Sequence, residues 1–167
     1  NIGALNGVAP ALPWPVYVAG EDRHPNGYGV AAFSGVTGLG FLSESELASW
    51  LSRTPIYALP ARYEPFGLSV LEAALSGCAL VLGDIPSLRE LWDGAALFVP
   101  PTDTAALERT LRMLVADDAG RRELGERVRR RGLRFTPERM ALGYLSVYQE
   151  TLGSYMPTYE HVSSRYV

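Results

Sequence analysis

A chain of 167 residues has room for one domain of ordinary size and not comfortably for two; folded compactly, it buries roughly 70% of the surface its unfolded form exposes, so one core suffices without staples. Apolar residues make up 47% and charged residues 20%, a balance that excludes a disordered chain and a membrane span. The net charge of −3 leaves no basic excess for general nucleic-acid binding.

Residues 2–12 carry a weak helical pattern (Ile2, Leu5, Val8, Ala9, Leu12) stopped by Pro13 and Pro15. Pro15–Gly20 reads as a short buried strand ending at glycine. Residues 21–30, which include His24, are a polar loop rich in breakers. The glycine-dotted run from Val36 to Leu42 predicts a second strand. Ser43 to Glu46 forms a capping box, in which hydroxyl and carboxylate each satisfy an orphan amide; Leu47, Trp50 and Leu51 follow on one helical face. Pro55–Leu59 is the third strand, and the loop Pro60–Gly67 leads into a helix over 68–76 closed by Gly77. Cys78–Gly83 is apolar on both faces, as a central parallel strand requires. A short helix over 87–92 ends near Gly94, and Ala95–Val99 is the fifth strand. Helices are expected at 104–116, 118–132 and 137–153, the last with Thr136 as N-cap and Pro137 at its first position. The domain is expected to span 1–153, with 154–167 as a polar, tyrosine-rich tail.

Strands alternating with helices specify an α/β fold: a Rossmann-like parallel sheet with helices on both faces. Such sheets bind ligands at the carboxyl ends of their strands. The richest loop there runs from Pro60 to Glu72. Pro65 disfavours helix at Glu64 and keeps it in the loop, and Gly67 lets backbone approach a ligand closely. The open amides of Leu68 and Ser69, at the positive end of the helix dipole, suit phosphate oxygens. Glu72 lies about one turn further along. A carboxylate repels phosphate but accepts hydrogen bonds from a sugar diol attached to it. Carboxylates on both sides of an anion site therefore suggest a ligand with hydroxyls on both sides of its phosphates, the shape of a sugar nucleotide. Spacing alone favours the ordinary alternative, acidic residues near a helix start as dipole partners.

Other residues narrow the chemistry. All 15 cations are arginine, so a Schiff base or a P-loop cannot be completed within the chain. The lone Cys78 is expected as buried filler, and His24 and His161 offer no ligand spacing, so no metal site is expected. No G-x-G-x-x-G follows a strand, which disfavours a nicotinamide dehydrogenase; a response-regulator receiver would need a lysine. Asp103 reads as an N-cap and Asp84 as a turn residue. Seven arginines between 121 and 134, interleaved with Glu123 and Glu126, read as a solvated helix face, with anionic lipid headgroups as the minority alternative.

The whole string Glu64-Pro65-Phe66-Gly67-Leu68-Ser69-Val70-Leu71-Glu72-Ala73, followed by Gly77 and Cys78 to Asp84, resembles the donor-site motif of retaining family 4 glycosyltransferases. The resemblance extends through Gly40–Ser43 upstream and Ile85–Leu91, Gly94, Phe98–Pro101 and Asp103 downstream, over roughly residues 14 to 150. It implies the C-terminal half of a GT-B fold, in which two Rossmann-like domains face across a cleft. It further implies that Glu64 contacts the transferred sugar and acts in catalysis, and that Glu72 holds the ribose hydroxyls. Backbone at Phe66, Gly67, Leu68 and Ser69 would meet sugar hydroxyls and diphosphate, with main chain near Leu42 against the base. The partner is then a nucleotide-sugar donor, with no metal or other cofactor. The family's basic pair, its acceptor site and its usual histidine belong to regions this chain does not contain, so an N-terminal acceptor domain is expected as a partner. A non-catalytic module that keeps the fold is the alternative. Without an initiator methionine, the chain is expected to be processed or a piece of something longer. Without a visible secretion signal it is expected to be cytoplasmic, contact with the inner face of the membrane being the lesser alternative.

Overall fold

The computed structural model describes residues 1–20 and 34–155. They divide into two compact units, Asn1–Leu133 and Arg134–Val167. Residues 21–33, which include the segment 21–30 expected as a polar loop, and residues 156–167 lie outside the described residues, and with them His24 and His161.

The first unit opens with helix α1 (Ile2–Val8), extended by a 3-10 turn at Ala9–Ala11. Strand β1 (Tyr17–Ala19) pairs in parallel with β2 (Thr37–Gly40). Strands β3 (Ile56–Leu59), β4 (Ala79–Gly83) and β5 (Leu97–Val99) form a second parallel sheet in the order β3-β4-β5. All five strands form where expected, each slightly shorter. The expected parallel sheet is, however, split in two, and no ladder joins β1 or β2 to β3 among the described residues. Strands pair only at a spacing of about 4.8 Å, and an apolar cavity lies where β1 and β3 face each other.

Helix α2 (Glu44–Leu51) starts at the expected capping box: the Ser43 amide donates to Glu46 Oε2 at 2.8 Å and the Glu46 amide to Ser43 Oγ at 3.4 Å. Helices α3 (Leu68–Leu75), α4 (Pro86–Trp92), α5 (Thr104–Ala116) and α6 (Asp118–Gly132) follow. Asp103 caps α5 through the Ala106 amide (2.8 Å), and Asp117 caps α6 through the Gly120 amide (2.9 Å), which explains why both begin where the sequence predicts.

The core centres on β4, in which every residue is buried, so both its faces are covered. Helices α3 and α6 pack on β4 and on each other, burying Val70, Ala73, Ala74, Leu124 and Val128. They come close because α6 presents glycine: a Cβ at Gly125 would lie 2.3 Å from the Gly77 carbonyl oxygen. Cys78 is fully buried, and burial pushes its thiol up to about 11.

The arginine run on α6 departs from the solvated-face expectation. Arg121 is buried. It donates to the Leu114 carbonyl and to Asp118 and lies 4.8 Å over the Trp14 ring. Arg129 donates to the Leu75 carbonyl, and Arg131 donates to the carbonyls of Leu91 and Asp93. These side chains satisfy carbonyls that other helix ends leave open. Arg122, Arg127 and Arg130 make ordinary intrahelical pairs with Asp118, Glu123 and Glu126.

The second unit contains α7 (Pro137–Tyr155), whose first turn is capped by Thr136 Oγ1 accepting from the Arg139 amide at 3.2 Å. It reaches two residues into the segment expected as tail. Tyr144 and Tyr148 stack one turn apart, ring centroids 6.2 Å apart. No described helix is long and apolar enough to cross a membrane.

Candidate functional site

The site forms where the chain leaves β3. The turn is set by the Ala61 amide donating back to the Leu59 carbonyl at 2.8 Å. The loop then lies directly on the last residue of β4. A Cβ at Gly83 would stand 2.2 Å from the Ala61 carbonyl oxygen and 2.9 Å from its nitrogen, so only glycine permits this contact. From the other side, Ser87 in the first turn of α4 donates its hydroxyl to the Glu64 carbonyl at 2.5 Å. The Glu64 backbone is thus fixed by the ends of two neighbouring elements, and its side chain is half-buried.

Gly67 closes the loop in the left-handed region, φ +82°, where an L side chain is strained. A Cβ there would also meet Val70 Cγ2 at 2.9 Å and the Glu64 side chain at 3.4 Å. Lacking a side chain, Gly67 cannot cap α3, and the first intrahelical bond runs from the Leu71 amide to its carbonyl at 3.1 Å. The amides of Leu68, Ser69 and Val70 therefore have no acceptor within the helix. They form a row of donors at the positive end of the dipole, between Glu64 in the loop and the exposed Glu72 on the second turn.

Tyr57 on β3 ties this start to the sheet by donating its hydroxyl to Ser69 Oγ at 2.8 Å. Burial pushes the Tyr57 phenol up, the bond to Ser69 opposes this, and the negative charges of Glu64 and Glu72 raise it further. The hydroxyl bond ties Tyr57 to Ser69, at the start of α3 between Glu64 and Glu72 in the chain. Phe66, Gly67 and Leu68 fall on the same loop and helix start. Leu42 sits on the loop between β2 and α2, half-buried. On the loop and helix start Tyr63 is 83% exposed and Leu68 69%, and Phe41, next to Leu42, is 81% exposed.

Asp84, at the end of β4, is an ion-pair partner. Arg89 forks onto it at 2.7 and 2.9 Å, also reaches Asp93 at 2.9 Å, and lies 4.2 Å over the Phe98 ring. The bond from Arg89 holds the Asp84 carboxyl below the ordinary aspartate range. Among the described residues, no three His, Cys, Asp or Glu side chains are grouped to hold a metal ion.

Sequence reasoning missed Tyr57 and passed over the positioning roles of Gly83 and Ser87. A glycine ending a buried strand beside a ligand loop is a readable signal for Gly83, and a serine in the first turn of a helix for Ser87. The Tyr57–Ser69 bond joins two elements and leaves no local trace.

The family model for glycosyl transferases group 1 matches residues 34–131, from just before β2 into the last turn of α6. A D-inositol 3-phosphate glycosyltransferase from Salinispora arenicola is 32% identical over 147 residues, 83% of this chain and 32% of that protein. Sucrose-phosphate synthase from Thermosynechococcus elongatus superposes with a TM-score of 0.78 at 25% identity, covering 92% of this chain and 42% of that one. Anabaena Alr3699/HepE, solved in complex with UDP-glucose, superposes with a TM-score of 0.68 at 17% identity, covering 91% and 44%. The chain thus spans a third to less than half of the length of these relatives. With more than half of its residues matched, the chain belongs to the glycosyl transferases group 1 family.

Proposed function

We propose that this chain is the C-terminal, donor-binding half of a retaining family 4 glycosyltransferase, which transfers a hexose from a nucleoside diphosphate sugar to a hydroxyl. The observation that carries this reading is the row of open amides at Leu68, Ser69 and Val70 set between Glu64 and Glu72. The amides and the helix dipole receive the diphosphate. Glu72 accepts hydrogen bonds from the ribose diol, and Glu64 contacts the sugar. Backbone at Phe66 and Gly67 meets sugar hydroxyls, and main chain at Leu42 lies against the base. The UDP-glucose bound by Alr3699/HepE supports this class of ligand.

In this reading the acceptor oxygen attacks the anomeric carbon on the face that the diphosphate leaves. The bond to the phosphate oxygen breaks as the new glycosidic bond forms, and the departing oxygen takes the acceptor proton. No metal enters the step. Cations that neutralise the diphosphate, and the acceptor site, come from an N-terminal domain across the cleft, which the exposed Phe41, Tyr63 and Leu68 would face. The location proposed is cytoplasmic. Contact with a membrane surface draws no support from α6, whose arginines from 121 to 131 are engaged with carbonyls and carboxylates.

Thermal shift and calorimetry with a panel of nucleoside diphosphate sugars test the proposal. A ligand at 100 times its dissociation constant stabilises the fold by about 2.7 kcal/mol. At least one nucleotide sugar is expected to do so, with little turnover by this chain alone. Absence of binding across the panel contradicts the reading, and binding without turnover by the complete protein favours the non-catalytic module.

A further inference from the structure

We propose that Tyr57 is a positioning residue of the donor site: by donating its phenolic hydrogen to Ser69 Oγ, it leaves the Ser69 hydroxyl as a fourth donor to a diphosphate, beside the amides of Leu68, Ser69 and Val70. The inference rests on the donor-site reading and adds to it a side-chain contact and the residue that aims it.

The argument starts at Gly67, which has no side chain with which to cap α3. The first hydroxyl along the helix is that of Ser69, at its second position. Side chains on a helix tilt toward its N-terminus, so this hydroxyl leans to the end from which the open amides emerge, and Ser69 is exposed there. Serine near a helix start ordinarily turns its oxygen onto a backbone amide of the first turn. That bond would use up one of the donors a phosphate needs. Here a different donor occupies the oxygen: the Tyr57 hydroxyl, 2.8 Å away and twelve residues earlier in the chain.

A hydroxyl carries one proton and two lone pairs. The Tyr57 proton fills one lone pair of Ser69, and among the described residues no carbonyl or carboxylate accepts the Ser69 proton. An anion is attracted to donors and repelled by lone pairs, so the tyrosine covers the unfavourable side of the serine and leaves the favourable one open. Hydrogen bonds to a charged acceptor are about twice as strong as neutral ones, which directs the open proton to a phosphate oxygen. Burial pushes the Tyr57 phenol up, against the opposing effect of the Ser69 bond; the phenol therefore stays protonated and keeps donating. Its anchor is stiff as well. Tyr57 stands opposite Leu80 in the β3–β4 ladder, and Leu80 is fully buried, so the phenol is held from the sheet and not from the loop it serves.

A double-mutant cycle tests the assignment. Calorimetry with pyrophosphate and with UDP is carried out on the native chain, Tyr57→Phe, Ser69→Ala and the double variant, with urea denaturation of each alongside. Tyr57→Phe keeps the ring and removes only the hydroxyl. Ser69→Ala is expected to weaken both ligands about tenfold, as loss of a hydrogen bond to a charged group does, and Tyr57→Phe about three- to tenfold. In the Ser69→Ala background Tyr57→Phe is expected to cost no further affinity, because the tyrosine acts only through the serine. A mere tie between α3 and β3 would instead lower stability and leave affinity unchanged in the folded variants. That result overturns the inference, and so do losses of affinity that add in the double variant. Failure of the native chain to bind either ligand is a separate outcome, which overturns the donor-site reading and the inference with it.

Discussion

The β3-β4-β5 sheet and the β1-β2 pair use the same strand chemistry to opposite ends. In the first, every residue of β4 is buried, and its terminal Gly83 meets the site loop backbone to backbone. The loop is then held by Ser87, Tyr57 and the left-handed Gly67. In the second, Tyr17, Ala19, Thr37, Gly38 and Gly40 are exposed and the facing edge opens into a cavity. Tyr17 rests on Trp50, centroids 4.8 Å apart, and does not pack in a core. The packing is tightest around the loop whose amides are proposed to receive phosphate, and the loosely packed pair lies beside a space the described residues leave open.

Paired truncations probe that contrast most strongly. Leu82→Ala, at a fully buried position of β4, is expected to cost about 3 kcal/mol by the cavity rule, whereas Val18→Ala on half-buried β1 costs less than about 1 kcal/mol. Urea denaturation of both variants measures the difference, and similar losses would erase the distinction between the two regions. A smaller effect is expected at the site loop. Gly67→Ala forces a side chain into the left-handed region against Val70 and Glu64, a strain of about 1–2 kcal/mol. Its nucleotide binding should fall by more than its stability implies, because Glu64 and the first amides of α3 shift together. Unchanged affinity in a folded Gly67→Ala protein would mean the loop geometry does not shape the site.

The smallest effect is electrostatic. Arg89 lowers the carboxyl of Asp84 in the folded protein, so this pair stabilises the fold above the unfolded aspartate value of about 3.9 and loses that contribution as pH falls through the lowered folded value. Both side chains are solvent-exposed, so the contribution is small. Asp84→Asn is expected to flatten the acid limb of a stability profile and leave stability near neutral pH slightly lower. An identical acid limb in the variant would show that the pair contributes nothing.

Much of the fold was legible in local patterns. Asp103 marks the start of α5 because a capping carboxylate must stand three residues before the amide it accepts from. The run Cys78–Gly83 reveals β4 because only a strand covered on both faces lacks alternation. The candidate site was legible as a loop with its following helix, again a local feature. What escaped was long-range. Nothing near Arg121 in sequence announces Trp14 beneath it, so a buried arginine passed for one more residue on a solvated face. The bonds from Tyr57 to Ser69 and from Ser87 to Glu64 join separate elements. Pairing of whole strands is also a tertiary property, so five correct strands did not disclose two sheets.

The central claim is that α3 presents its amides to a diphosphate and Glu72 to the attached ribose. Calorimetry of the native chain and Glu72→Ala, each titrated with UDP and with pyrophosphate, addresses it directly. Loss of a charged acceptor for the ribose hydroxyls removes about 1.5–3 kcal/mol, so UDP affinity should fall tenfold or more, at about 1.4 kcal/mol per decade, while pyrophosphate binds the variant at least as well. Equal losses for the two ligands would contradict the ribose role of Glu72 and the account built on it.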